Sequence, residues 1–246
     1  MRITIYNLSK GKLSDTEVSA AVAAINRQIA EDVAPLWGMS ATLRLEAPPA
    51  GATRGPAPSR LRGDAVLYLY DQVDVKGALG YHAANHEGVP YGFVFAELIA
   101  KLGENWSTTL SHEALELLGD PEVNLLTVGP NPNARTAPAL FPYELCDPVQ
   151  GDEYAIDGVR VSNFVTPLYF TTNEEKGSRN DFLGRGVASF GVRPKGYTQF
   201  IELPSLKVER VFGDGLARQR WDAVSEALGE SRRLERHLML RGGRAI

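Results

Sequence analysis

The chain has little that could cross-link it or anchor it in a membrane. Its 246 residues include a single cysteine, Cys146, which excludes an intramolecular disulfide and favours a reducing compartment. The longest clean apolar run, 65–70, is far shorter than the ~20 residues that a membrane-spanning helix needs. The first residues alternate like a strand and lack the apolar core of a signal peptide. We therefore expect a cytoplasmic protein with no membrane partner.

A large charge of one sign is also missing. The 26 basic and 30 acidic residues give a formal net charge of −4, which argues against nucleic acid as the main partner. No internal repeat and no low-complexity segment is visible in the sequence. Hydrophobic residues make up 43% and charged residues 23% of the chain, as is typical of a globular protein.

Hydrophobic periodicity predicts an α+β fold. Residues 2–7 alternate as in a strand, and Ser14 and Glu17 form a capping box at the start of a helix. The other predicted elements are strands at 41–45, 64–70 and 91–98, a helix at 107–118, a hairpin turning at Asp157-Gly158, two short extended runs within 187–203 and a last helix over 215–240. Residues 125–142, with four prolines, are predicted to be irregular. Since strands and helices do not alternate regularly, a doubly wound parallel sheet is disfavoured.

The segment 107–118 carries the most chemical information. On a helix with about 100° per residue, His112, Glu113 and Glu116 share one face, and the rest of the surface is apolar. His112 and Glu116 lie one turn apart and point the same way. HExxH helices present two metal ligands with this spacing, and the glutamate after the first histidine is the general base. Here Glu116 replaces the second histidine, which gives HExxE.

Further acids follow this helix in the sequence. They are Asp120, Glu122, Glu144 and Asp147. Unpaired charges are costly beside an apolar helix, so several acids near one buried place favour a bound cation. The alternative to a metal site is an ordinary amphipathic helix whose polar face contains one histidine and two glutamates by chance.

Several short motifs, in this order, carry a family resemblance. They are DVAPLWG at 32–38, GALGYH at 77–82, WS at 106–107, SHEALE at 111–116, DP at 120–121, ELCDP at 144–148 and VSNFVTP at 161–167. With these motifs the chain resembles a family of uncharacterised bacterial and phage-associated proteins that have a zincin-like metallopeptidase motif. The similarity runs from the N-terminus to about residue 205. We therefore divide the chain into a zincin-like domain, 1–205, and a C-terminal helical extension, 206–246.

The resemblance implies a twisted mixed sheet and one divalent metal over the active-site helix. A strand at the edge of the sheet would pair with an extended substrate, and 91–98 is the expected strand. His112 and Glu116 would bind the metal, and Glu144 is the preferred third ligand. Asp120, Glu122 and Asp147 stay open as ligands or as residues that orient a ligand. Zinc is the first expectation, with Mn²⁺, Fe²⁺ or Ca²⁺ as alternatives.

The remaining reactive residues have weaker patterns. His82 is expected on a loop, because glycines surround it, and could line the cleft and donate to an oxyanion. His86 is expected on an exposed loop, and the Cys146 thiol is expected to be buried and structural. One tyrosine could serve as a second oxyanion donor, but the sequence does not select among Tyr143, Tyr154, Tyr169 and Tyr197.

These patterns predict a metal-dependent hydrolase, most simply a peptidase acting on a peptide or protein. Glu113 would take a proton from a metal-activated water and return it to the leaving amine. A second hypothesis is a non-catalytic binding or structural module with a structural metal or none. It stays open because Glu116 replaces the second histidine of the HExxH pattern. A third, a glycosidase using Glu113 and Glu144 as paired acids, has no other support.

Overall fold

The computed structural model describes residues 1–48, 55–58, 63–71, 80–85, 87–134, 137–172, 178–203 and 205–228. The strands are β1 (Arg2–Leu8), β2 (Thr42–Glu46), β3 (Ala65–Tyr70), β4 (Gly80–Ala84), β5 (Pro90–Phe95), β6 (Leu126–Pro130), β7 (Pro138–Pro142), β8 (Glu153–Ile156), β9 (Val159–Ser162), β10 (Tyr197–Glu202) and β11 (Val208–Phe212). The α-helices are α1 (Asp15–Arg27), α2 (Ala34–Trp37), α3 (Ala96–Lys101), α4 (Trp106–Gly119) and α5 (Gly215–Leu228). This content confirms the α+β class. Within the described ranges, no helix combines the length and the apolar character that crossing a membrane requires.

The larger sheet has the strand order β2-β1-β3-β5-β4. The first four strands run parallel, and β4 runs antiparallel to β5 at the edge. The prediction that 91–98 forms the edge strand is wrong, because β5 lies between β3 and β4 and the chain enters α3 at Ala96. The edge position belongs to β4, a segment whose glycines had favoured a loop. Cross-strand pairing with β5 outweighs that local preference.

Successive side chains of the central strands point to opposite faces of the sheet, so they pack into two separate apolar layers. Ile3 and Ile5 of β1 and Leu67 of β3 join the main core, into which α1 and α4 also pack. The neighbouring side chains Tyr6 and Tyr68 belong to a separate aromatic cluster on the opposite face of the sheet. α4 contacts β4, β5 and β9 on the side of the main core. Its polar side chains are therefore brought beside the edge strand.

The second sheet is antiparallel, with the order β11-β10-β7-β6. Two of its strands lie within 125–142, so the prediction of irregular structure there is wrong. The prolines of this hairpin sit at strand ends, with Pro130 opposite Pro138 and Pro142 opposite Leu126, where a missing N–H interferes least with pairing. β10 and β11 pair across the boundary proposed at 205/206.

The predicted local signals at α1 and at the β8–β9 hairpin are confirmed. Ser14 and Glu17 form both hydrogen bonds of the capping box. Asp157 and Gly158 have φ angles of 50° and 82°, as the tight two-residue turn between β8 and β9 requires. The predicted last helix is observed as α5, and its continuation to 240 lies outside the described residues.

A buried polar network fixes α4 against its neighbours. Ser111 donates to Gln28 Oε1 at 2.6 Å and accepts from the Ser162 amide at 3.1 Å. Gln28 donates in turn to the Ser162 carbonyl at 2.8 Å. All three residues are fully buried. The network thus joins three parts of the structure: the segment that follows α1, helix α4 and strand β9. On α4 the joining residue, Ser111, directly precedes His112.

We expect Ser111→Ala to lower the free energy of unfolding. The substitution leaves the side-chain oxygen Oε1 of Gln28 and the backbone amide of Ser162 buried without their Ser111 partner, and each unsatisfied group costs about 1–3 kcal/mol. Urea unfolding of the metal-free protein measures the loss. Ser19→Ala, on the exposed side of α1, is the matched control and should change stability by no more than about 0.5 kcal/mol. Equal stability of the two variants would show that the network does not hold α4 in place.

Candidate metal centre

Glu116 lies at the middle of a buried cluster of ionisable side chains. Its Oε1 atom is 3.2 Å from His112 Nε2 and accepts the amides of Cys146, at 3.3 Å, and Asp147, at 3.2 Å. Its Oε2 atom is 3.4 Å from His82 Nδ1. The two oxygens of one carboxylate therefore face different histidines.

His82 enters the cluster from β4. Its Nδ1 atom is 3.5 Å from Glu113 Oε2, and its Nε2 atom is 4.0 Å from Glu144 Oε2. The side chain is 6% exposed, as is that of Glu113. Because His82 of β4 pairs with Gly92 of β5, the prediction that His82 lies on a loop is wrong. A Cβ atom at residue 92 would lie 2.8 Å from the Tyr81 carbonyl oxygen, so glycine lets the two strands approach.

The segment after β7 supplies the other side of the cluster. Asp147 Oδ1 is 3.2 Å from His112 Nε2. The Cys146 thiol is fully buried and forms no disulfide. One ligand atom each from His112, Glu116 and Cys146 lie within 4.8 Å of one another. One atom each from His82, Glu116 and Glu144 satisfy the same limit. Glu144, the preferred third ligand, is thus grouped with His82 and Glu116 and not with His112.

The cluster shifts the pKa of several of its members. For His82, burial alone would lower the pKa, but the carboxylates of Glu113, Glu144 and Glu116 outweigh burial and raise it to about 9. For His112, burial is likewise outweighed, by Glu116 and Asp147, and the pKa is raised well above its usual value. Burial, reinforced by the charge of Asp147, raises the pKa of Glu116 to about 7. Burial also raises the pKa of the Cys146 thiol. A cation would favour the deprotonated form of each of these groups.

Tyr197 of β10 also belongs to the cluster and is one of the four tyrosines among which the sequence did not select. Burial and the nearby Asp147 carboxylate, to which its phenol donates, raise its pKa well above the usual value. The ring packs against Trp221 of α5 at a centroid distance of 4.8 Å. Tyr197 comes close to Asp147 because β10 packs against the turn at 147–149, a contact between distant parts of the chain that no local pattern predicts.

Other predicted site residues lie away from these groups. Asp120 is buried, and its two carboxylate oxygens accept the amides of Asn124 and Leu125, both at 3.0 Å. This arrangement closes the turn after α4. Glu122 is exposed and accepts from the Asn124 side chain. His86 lies outside the described residues.

The donor atoms fit a divalent cation. Ligands at ~2.0–2.1 Å from a tetrahedral ion lie roughly 3.3–3.4 Å apart. The two contacts of Glu116 with the histidines, at 3.2 and 3.4 Å, match this spacing, and the contact of His82 with Glu144 is longer, at 4.0 Å. In addition, His82 Nε2 and Glu113 Oε2 are buried and have no hydrogen-bond partner among the described residues. Unsatisfied buried atoms of this kind call for a ligand or an ion.

Gly80 gives the Glu113 carboxylate its space, so we expect Gly80→Ala to destabilise the protein. The added Cβ would lie 2.6 Å from Glu113 Oε1 and 2.8 Å from the Phe93 carbonyl oxygen, which the β4–β5 pairing holds in place. Overpacking of this kind costs about 1–3 kcal/mol, measurable by urea unfolding. Gly215→Ala is the control, because a Cβ there meets nothing within 4 Å. A Gly80→Ala protein as stable as the control would contradict the close contact.

Comparisons with known proteins return nothing that assigns this cluster. No protein-family model matches the chain, and neither the curated proteins nor the solved structures contain a match. What the site does must therefore be argued from its own side chains.

Proposed function

We propose that the protein is a metal-dependent hydrolase and that its substrates are peptides or proteins. The carrying observation is the convergence of His82, His112 and Glu116 from two elements in one buried cluster, with ligand-like separations. The residues that would hold the metal are these three, with Glu144, Cys146 and Asp147 from the segment after β7. A bound divalent metal lowers the pKa of water and polarises a carbonyl group.

Glu113 is the general base in this proposal. It follows His112 directly on α4, and its Oε2 atom is buried with no hydrogen-bond partner within the described ranges. Glu116, in contrast, has both oxygens occupied by the histidines and by backbone amides. Glu113 can therefore accept a proton from water and pass it to a leaving amine, while Glu116 keeps its contacts.

The arrangement of strands favours an extended substrate. β4 is the last strand of the described sheet, runs antiparallel to β5 and lies against α4. A peptide added along such an edge would pass beside the acids of α4. A mixed sheet, an antiparallel edge strand and a helix bearing His112 and Glu113 below that edge also support a zincin-like fold.

The Glu113→Gln variant tests the proposal. We expect the purified variant to keep the zinc content of the wild type, because the side chain is nearly isosteric and is not counted among the ligands. Hydrolysis of a broad peptide library should fall by about 10²–10⁴-fold, because an amide cannot accept the proton from water. Elemental analysis after zinc repletion and mass spectrometry of the library measure the two effects. Glu122→Gln makes the same chemical change at an exposed position and should behave as wild type.

Three results would contradict the proposal or the role that it gives to Glu113. A wild type that takes up no metal after repletion would remove the centre. Loss of metal in Glu113→Gln would make Glu113 a ligand in place of a base. A fully loaded wild type that cleaves no peptide of the library would favour a non-catalytic module with a structural metal.

A further inference from the structure

Two groups of potential ligands share one residue. The group of His82, Glu116 and Glu144 and the group of His112, Glu116 and Cys146 each meet the 4.8 Å limit. Glu116 reaches His82 through Oε2 and His112 through Oε1. A single ion would need both histidines around the same point, whereas the two histidines contact opposite oxygens of the carboxylate.

A carboxylate in this position can bridge two ions. Each of its oxygens carries lone pairs, so each can bind a different cation, and on Oε1 the cation would take the place of one of the two long amide contacts, at 3.3 and 3.2 Å. Paired metals in hydrolytic sites lie about 3.5–4 Å apart. A neutral imidazole has only one acceptor nitrogen. The replacement of the second histidine by Glu116 in HExxE is thus the change that a shared ligand requires.

The charge of the cluster also favours two ions. Four carboxylates meet here, those of Glu113, Glu116, Glu144 and Asp147, and the histidines that bind a metal are neutral. One divalent ion would leave two negative charges of these carboxylates in a buried place, whereas two divalent ions, with the Cys146 thiolate included, would leave one. In the described part of the chain, the ion-pair partners of Glu113, Glu116 and Asp147 are the two histidines, with no lysine or arginine among them.

An observation independent of the acids points to a ligand on the side of β4. His82 Nε2 is buried and has no hydrogen-bond partner in the part of the chain that the structure describes, and the His82 side chain is only 6% exposed. An imidazole nitrogen in this state loses its bonds to water and gains none from the protein, which is costly. A cation bound between His82 Nε2 and Glu144 Oε2, which lie 4.0 Å apart, would remove that cost and leave Nδ1 facing the carboxylates of Glu113 and Glu116.

We propose that the protein binds two divalent transition-metal ions bridged by Glu116. His82 and Glu144 complete the first site, and His112 and Cys146 complete the second, where Asp147 lies beside His112. The thiol proton of Cys146 is released to solvent when the second ion binds. This inference rests on the metal centre of the proposed function and specifies its nuclearity and its thiolate ligand.

Zinc stoichiometry of the tag-free full chain tests this inference. After chelation and titration with Zn²⁺, we expect two ions per wild-type chain, one in His82→Ala, one in Cys146→Ser and none in Glu116→Gln. Glu116→His restores a second histidine on α4 but cannot bridge, so it should bind one ion. Glu122→Gln is the control and should bind two. Unfolding curves of the metal-free variants establish that each one folds.

Co²⁺ reports which ligands are used. Wild type and His82→Ala loaded with Co²⁺ should show the near-ultraviolet charge-transfer absorption of a cobalt–thiolate bond, and Cys146→Ser should lose it. One zinc ion per wild-type chain would overturn the paired centre and leave the hydrolase proposal intact. No zinc would overturn both. A Cys146→Ser protein that still binds two ions, or a wild type without the thiolate band, would remove Cys146 from the ligands.

Discussion

The buried carboxylate of Glu116 accepts the amides of Cys146 and Asp147, and the rest of the centre is built around these two hydrogen bonds. Removing a carboxylate from water costs several kcal/mol unless hydrogen bonds and opposite charges compensate for it. The amides supply part of the compensation, and His82 and His112 supply the rest. Since the amides belong to residues 146 and 147, the same bonds bring the thiol of Cys146 and the carboxylate of Asp147 beside α4.

The elements that carry these groups are held by contacts outside the cluster. Gln28 and Ser162 fix α4 through Ser111, one residue before His112. On the other side, Gly92 lets β4 approach β5 closely at His82. A site supported by a helix and a strand keeps its ligands in place more accurately than one on a loop. The close spacing of the donor atoms is therefore a property of the fold as well as of the residues.

Local patterns were sufficient for α4 and for most of the parallel strands. The helix face of His112, Glu113 and Glu116 follows from helical periodicity alone, and the buried strand β3 follows from its apolar run. The position of His82 could not be predicted in this way, because glycines near β4 favour a loop and only its pairing with β5 makes it a strand. Tyr197 lies 50 residues after Asp147 in the sequence. It reaches the centre through the second sheet, part of which is formed by a proline-rich segment predicted to be irregular.

The glutamate at position 116 has consequences that a histidine there could not reproduce. The carboxylate accepts two backbone amides with one oxygen and faces His82 with the other. An imidazole has at most one acceptor nitrogen, so it would leave a buried amide unsatisfied or turn away from His82. An unsatisfied buried amide costs about 1–3 kcal/mol, which would work against the close packing of residues 146–147 on α4. The departure from HExxH is therefore tied to the way in which this chain joins α4, β4 and the segment after β7.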